Sequence, residues 1–404
     1  MSQTVSPVTA TERPIPTISM AILAMASFAS AANIRISDPL LPQVSLDFGV
    51  TVGAASVIVT GYTIAYGLLQ PFYGPVGDRY GKYLVIVITS LISAVATLAC
   101  AFAPSLTLLA IGRFATATAS CAVIPLAMAW VGDVVPFERR QAVLSRFISG
   151  QLAGMIFGQV AGGVLGDLLG WRMVFVVVAA VYLTAAVALL LRLRSDPLTR
   201  EASNPNAALN PVAVFRQFAE LARRPWVRTM LIVVSVEGLL FFGAFAYVGN
   251  ELHVRFGLGF AAVGAALTGY GIGGLMFTVS VRRLLPRLRE HGIVRLGGVI
   301  LAAAFVTLAF AQALWLMVLA IVASGFGFYL MHNTLQTHGT QMTPEARGTG
   351  LALFASLLFI GQSIGVGLAA PVIDRYGAAP IFLVAALGLP ILAWYFAAQL
   401  RARA

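Results

Sequence analysis

Five polar side chains stand in stretches otherwise too apolar to hold them: Asn33, Arg35 and Asp38 in AANIRISDPLLP, Arg113 in IGRFATATAS, and Glu237 in VVSVEGLLFF. A charge in such a run costs roughly 2.5–3.5 kcal/mol on insertion scales, so one that is kept marks a proton relay, an ion path or a substrate contact. Asp38 is the expected proton carrier. Burial and a neighbouring cation act on its proton affinity in opposite senses, so a modest change of hydration captures or releases a proton. Arg35, three residues away on the same helix, can pair with it statically; Arg113 sits at a similar depth and can pair with it across helices. Glu237 has no cation nearby in sequence. It reads as a second proton site, a counter-charge for a cationic substrate, or a protonated acid bonded to a neighbouring helix.

Around these lie the candidate walls of a binding site. Asn33, Tyr62, Tyr66, Gln70, Phe241, Phe245, Tyr329 and Asn333 suit an amphipathic organic molecule, though the aromatic ones serve equally as packing. His332 reads first as an interhelical hydrogen-bonding group. No pair of the four histidines has metal-ligand spacing, so no metal is expected. GYGIGG (Gly269 to Gly274) lacks the strand, turn and Lys-Ser/Thr ending of a phosphate loop. With no nucleotide or cofactor motif, the energy must come from an ion gradient.

The elements that position these residues are membrane helices. The chain has 404 residues, 59% hydrophobic and only 10% charged, too few charges for a soluble surface of this size. Apolar runs near twenty residues give twelve spans, at about 18–43, 52–72, 84–103, 106–131, 143–166, 171–191, 227–250, 260–285, 293–312, 313–336, 348–371 and 378–400. The net charge of +11 is topological. Arg79, Lys82, Arg139, Arg140, the arginines of 192–228 and 282–295, Arg347, Arg401 and Arg403 fall in one set of loops, against Arg172, Arg255 and Arg375 in the other. By the positive-inside rule both termini and the central loop are cytoplasmic, and nucleic acid is not the partner. The polar, Pro-rich N-terminus lacks the features of a cleaved leader, so the first apolar segment is expected to stay as a helix. The two cysteines, Cys100 and Cys121, imply no disulfide framework.

The chain repeats itself. Asp167 to Phe175 and Asp374 to Phe382 both fit D-x-x-G-x-x-x-x-F, and PFERRQA from Pro136 answers PEARGTG from Pro344. A duplicated six-helix unit is the sequence mark of a transporter whose halves rock about a central site. The expected divisions are 1–191, a linker at 192–226, and 227–404. In the linker Asn210 can cap a helix whose Val214, Phe215, Phe218 and Leu221 share a face for the membrane surface.

GPVGDRYGK (Gly74 to Lys82) resembles the loop signature between helices two and three of the major facilitator superfamily, G-x-x-x-D-R-x-G-R/K. The resemblance implies an all-α membrane fold of twelve helices in two pseudo-symmetric six-helix bundles. It also implies a gate built on Gly74, Gly77, Asp78, Arg79, Gly81 and Lys82, with Asp78 docking on the N-terminal end of helix eleven in the outward-open state and Asp133 as partner acid. HGIVR near Gly292 keeps little of the same signature in the second half.

DPLLP with Asp47, Arg113 in span four, and the ladder Gly150, Gly154, Gly158, Gly162 and Gly163 in span five are similar to the twelve-helix drug:H+ antiporter branch. Gln159 stands where that branch has a proline and Ser145 where it has a glycine. The likeness implies a monomeric exporter of a small organic compound in a bacterial cytoplasmic membrane, working by alternating access without a cofactor. A nutrient or organic-anion carrier using Arg35, and a non-transporting membrane sensor, are the rival readings.

Overall fold

Helices long and apolar enough to cross a bilayer account for most of the molecule. A computed structural model describes residues 17–135, 137–200, 210–343 and 347–403, and no strand occurs among the described residues. Pro136 and Pro344, which head the PFERRQA and PEARGTG pair, lie outside them. Among the described residues, eleven apolar helical runs are long enough to span. One of these, Phe260–Phe310, has 51 residues; at 1.5 Å per residue it would outrun a hydrocarbon core of roughly 30 Å more than twice over. It breaks at Arg289, where the backbone turns to φ 54 and ψ 173, just after Pro286 has removed a backbone donor. The run is therefore two spans, and the total among the described residues is twelve.

In order, the spans are Thr17–Arg35, Val52–Tyr80, Lys82–Ala101, Leu106–Val134, Phe137–Leu169 and Trp171–Ser195, then Pro225–Phe256, the two arms on either side of Arg289, Leu314–Gln341, Arg347–Tyr376 and Ala379–Arg401. Span one does not run on to residue 43 as one helix. It stops at Arg35, turns through 36–40, and resumes as the short helix Leu41–Phe48. Between the sixth and seventh spans, Asn210 caps the helix Pro211–Ala222, its Oδ1 accepting from the amides of Val212 and Ala213 at 3.0 and 3.2 Å. Phe218 and Leu221 of this helix pack on the second half, and Phe215 meets Phe72 of span two.

The backbone repeats more faithfully than the side chains. Positive φ occurs at Gly49, Gly81 and Gly170 in the first half, and at Gly257, Arg289 and Gly377 in the second. Each mate lies about 207 or 208 residues on. Gly170 and Gly377 are the glycines of the D-x-x-G pair. Arg289 takes the place of Gly81, the glycine of the signature loop, and is the one non-glycine with positive φ among the described residues.

Small residues set the closest helix approaches, as membrane packing favours. A side chain at Gly154, Gly158 or Gly162 would strike the span-one backbone at Phe28, Ala32 and Ile36 respectively. Gly163 meets Gly264 of span eight backbone to backbone. On the face away from the termini, spans two and eleven, and spans five and eight, pack tightly across the two halves.

Candidate functional site

Span one supplies the central group because its helix ends inside the protein. Irregular backbone at membrane depth is tolerated only where protein satisfies it, and the 36–40 turn is buried throughout. Asp38 and Arg35 are 1% and 3% exposed. The Nη1 of Arg35 donates to Oδ2 of Asp38 at 3.5 Å, while Asp38 Oδ1 and Arg35 Nε have no partner. The Arg35 guanidinium also lies over the Phe242 ring of span seven, 4.0 Å from its centroid. One cation of the first half is thus shared between a carboxylate of its own span and an aromatic face of the other half.

The expected Asp38–Arg113 pair is not formed. Arg113, also fully buried, donates through Nη1 to Asn33 Oδ1 and through Nη2 to the Asn33 carbonyl at 2.9 Å, with Nε to the Ile58 carbonyl at 3.5 Å. Its charge rests 4.1 Å over the Tyr62 ring. Asn33 is fixed in turn by donating to Thr97 Oγ1 at 3.0 Å. Asn33 sits two residues before Arg35, closer to the level at which Arg113 leaves span four, and neutral acceptors take that guanidinium first. Asn33 is therefore a bracket for Arg113 and does not face open space.

The aromatic wall expected to face a cavity is packed instead. Tyr62, Tyr66, Phe241 and Phe245 are at most 2% exposed. The Tyr62 hydroxyl bonds Ser120 Oγ at 2.9 Å, and Tyr66 meets Phe359. Phe241 and Phe245 stack with Tyr270 and Phe328 in the core of the second half. Gln70 is buried; Tyr329 is half-buried against Tyr270; Asn333 is exposed.

Glu237 has a partner that its own sequence neighbourhood does not announce. His332 of span ten places Nδ1 2.7 Å from Glu237 Oε2, leaving Oε1 buried and unpartnered. The His332 ring stacks on Phe328, which touches Phe242. Buried polar groups of the two halves are thereby linked through rings, from Asp38 and Arg35 to His332 and Glu237. Immediately after Glu237, residues Gly238–Phe242 wind as a π turn, an interruption met most often at functional sites.

At the face carrying the termini, the signature loop holds a three-membered ion cluster. Lys82 Nζ lies 3.0 Å from Asp78 and 2.8 Å from Asp133, so Asp78 and Asp133 share Lys82, while Arg79 lies 5.6 Å from the Tyr80 ring centroid. Gly77 lets Leu126 of span four approach, and Gly81 provides the turn at φ 92; Gly74 faces open space. Asp78 is expected to dock at the start of span eleven; that helix begins at Arg347, and residues 344–346 just before it lie outside the described residues.

This architecture is that of a solute carrier, and the comparisons agree. The Major Facilitator Superfamily model matches residues 23–366, and the chain belongs to that family. A Bacillus subtilis (strain 168) protein described as the uncharacterized MFS-type transporter YwfA is 25% identical over 381 residues, 93% of this chain and 90% of its own. The lincomycin resistance protein of Streptomyces lincolnensis is 26% identical over 191 residues, 46% of this chain and 38% of its own. The crystal structure of the human organic anion transporter MFSD10 (TETRAN) superposes with a TM-score of 0.71 at 18% identity, covering 95% of this chain and all of that one. The protein is a multi-pass membrane transporter and not an enzyme, of a class that needs no resident cofactor.

Proposed function

We propose that the chain exports a small amphipathic organic compound in exchange for protons, as the drug:H+ antiporter branch does. The bundles 1–191 and 227–404 rock about the centre, joined by the 192–226 linker. The observation that carries the reading is Asp38, a buried carboxylate in a helix break, with one oxygen on Arg35 and the other unpartnered. Protonating Asp38 removes the charge that holds Arg35 and leaves the guanidinium to Phe242, so the proton alters a contact between the halves. Glu237, bonded to His332, is a second proton site in this scheme, and Arg113 lends positive charge without being consumed by a pair.

The resemblance to a resistance protein supports export. With the termini in the cytoplasm of a bacterial inner membrane, the closed contacts face outward; the protein acts as a monomer. A second reading has its own observation: Arg35 Nε is buried without a partner, a free donor suited to an organic anion held at Arg35.

Flux of a compound panel into proteoliposomes, lincomycin and citrate included, with and without an imposed pH gradient, tests both. Asp38→Asn is expected to keep exchange at equilibrium and to lose gradient-driven accumulation. Unchanged accumulation by Asp38→Asn refutes proton coupling at this residue. Gradient-independent anion flux, with the anion protecting Arg35 from a guanidine reagent, establishes the second reading.

A further inference from the structure

The D-x-x-G repeat has no part in the chemistry above, yet its two acids occupy equivalent places on the face away from the termini. Asp374, in the last turn of span eleven, reaches the first turn of span two in the opposite half. Its Oδ1 accepts from the Gly53 amide at 2.8 Å and its Oδ2 from Thr51 Oγ1 at 2.7 Å. Thr51 is also the helix cap, its hydroxyl accepting from the Ala54 amide. Asp167, in the last turn of span five, lies against Gly259, the residue that begins span eight. A side chain there would start 3.5 Å from the Asp167 carboxylate.

The same operation that carries span five onto span eleven thus carries span eight onto span two. Each acid ends a span of one half and faces the start of a helix in the other, where free amides and the helix dipole favour a negative charge. Beneath each acid the backbones touch: Gly163 on Gly264, and Gly53 on the Ala370 carbonyl. Ser363 continues the second seam, donating to the Thr60 carbonyl at 3.0 Å.

We infer that Asp167 and Asp374 are a symmetric pair of latches that hold this face of the transporter shut, positioning residues for its cycle. The inference rests on alternating access in the proposed function, and on neither Asp38 nor proton coupling. The carboxylates engage when spans two and eleven, and five and eight, come together, and they must release both helix starts before a path opens between them. The glycines in the seams are what allow the acids to reach.

The test reads the gate without a substrate. Ser363→Cys places a thiol in the closed seam; the two native cysteines are buried, and the protein without the reporter gives the background. Labelling by a membrane-impermeant maleimide is followed on purified protein in proteoliposomes at fixed pH. Asp374→Asn is expected to raise the rate roughly fivefold, as does Thr51→Val, which removes one donor to the acid together with the helix cap and leaves the acid in place. Asp167→Asn shifts the rate in the same direction and the double acid variant exceeds either. Rates equal to or below that of the reporter parent, in variants that remain monodisperse, overturn the latch. Loss of pH-driven flux in the separate transport assay bears on the proposed function and leaves this comparison intact.

Discussion

Arg289→Gly is expected to stabilise the protein although it deletes a side chain. Arg289 is held at φ 54 and ψ 173, a region that is essentially glycine's own and costs another residue about 1–3 kcal/mol. Its mate in the first half, Gly81, meets the same demand at φ 92 without a β-carbon. Glycine also loosens the unfolded chain, which takes back about 0.4–1 kcal/mol. The net gain is then about 1 kcal/mol, on the order of 1–2 °C in the unfolding midpoint of a chain this long. Arg289→Ala removes the same charge and stem but keeps the β-carbon, so it isolates the backbone term. Thermal unfolding in detergent, followed by tryptophan fluorescence, should rank Arg289→Gly above the parent and Arg289→Ala at or below it. Equal midpoints for the glycine and alanine variants would refute the claim that the turn between spans eight and nine is strained.

Gly158→Val should break the packing of span five on span one, because its β-carbon meets the Ala32 backbone, which cannot yield as a side-chain tip can. A loss of about 1–3 kcal/mol is expected, visible as a lower yield of monodisperse protein, whereas valine at Gly74, which faces open space, should leave the yield unchanged. On the face away from the termini, the hydrogen bond from Arg172 holds the Asp47 carboxyl below its usual range; burial opposes this and the Trp171 indole adds to it. A carboxyl depressed in the folded state stabilises it above the unfolded value of about 3.9 and ceases to do so as pH falls through the lower folded value. Arg172→Gln should therefore lower the midpoint slightly at pH 6, with the difference from the parent fading below about pH 4. A constant difference down to pH 2.5 would show that the Arg172 contribution is not electrostatic.

The spans were legible in the sequence because hydropathy is a property of each segment alone. Even the merged run of 260–310 resolves at the place where 260–285 and 293–312 part. The site was legible as residue types but only partly as contacts. Asp38, Arg35 and Arg113 announce themselves as charges in apolar runs, yet which of them pair depends on how span four is rotated about its axis, and no local pattern fixes that. Asn33, the group that takes Arg113, is neutral and looked like a lining residue. The Glu237–His332 contact joins spans seven and ten, 95 residues apart, and each partner is readable only as a polar group in want of another. Tyr62 and Phe241 show the converse failure: an aromatic ring suits a cavity wall and a core equally until its neighbours are placed. Arg289 escaped because the second half preserves the shape of the loop after it has lost the glycine that identifies it.

The wide turn after Glu237 bears on how span seven can move. A π turn spends one residue more per revolution than ordinary helix does. Rewinding Gly238–Phe242 to the usual pitch would rotate everything beyond it by about 100° and advance it by about 1.5 Å. Phe242, the last residue of that turn, carries the ring that covers Arg35. Changing how five residues are wound would therefore carry that ring off the Arg35 guanidinium, before any helix has had to swing as a rigid rod.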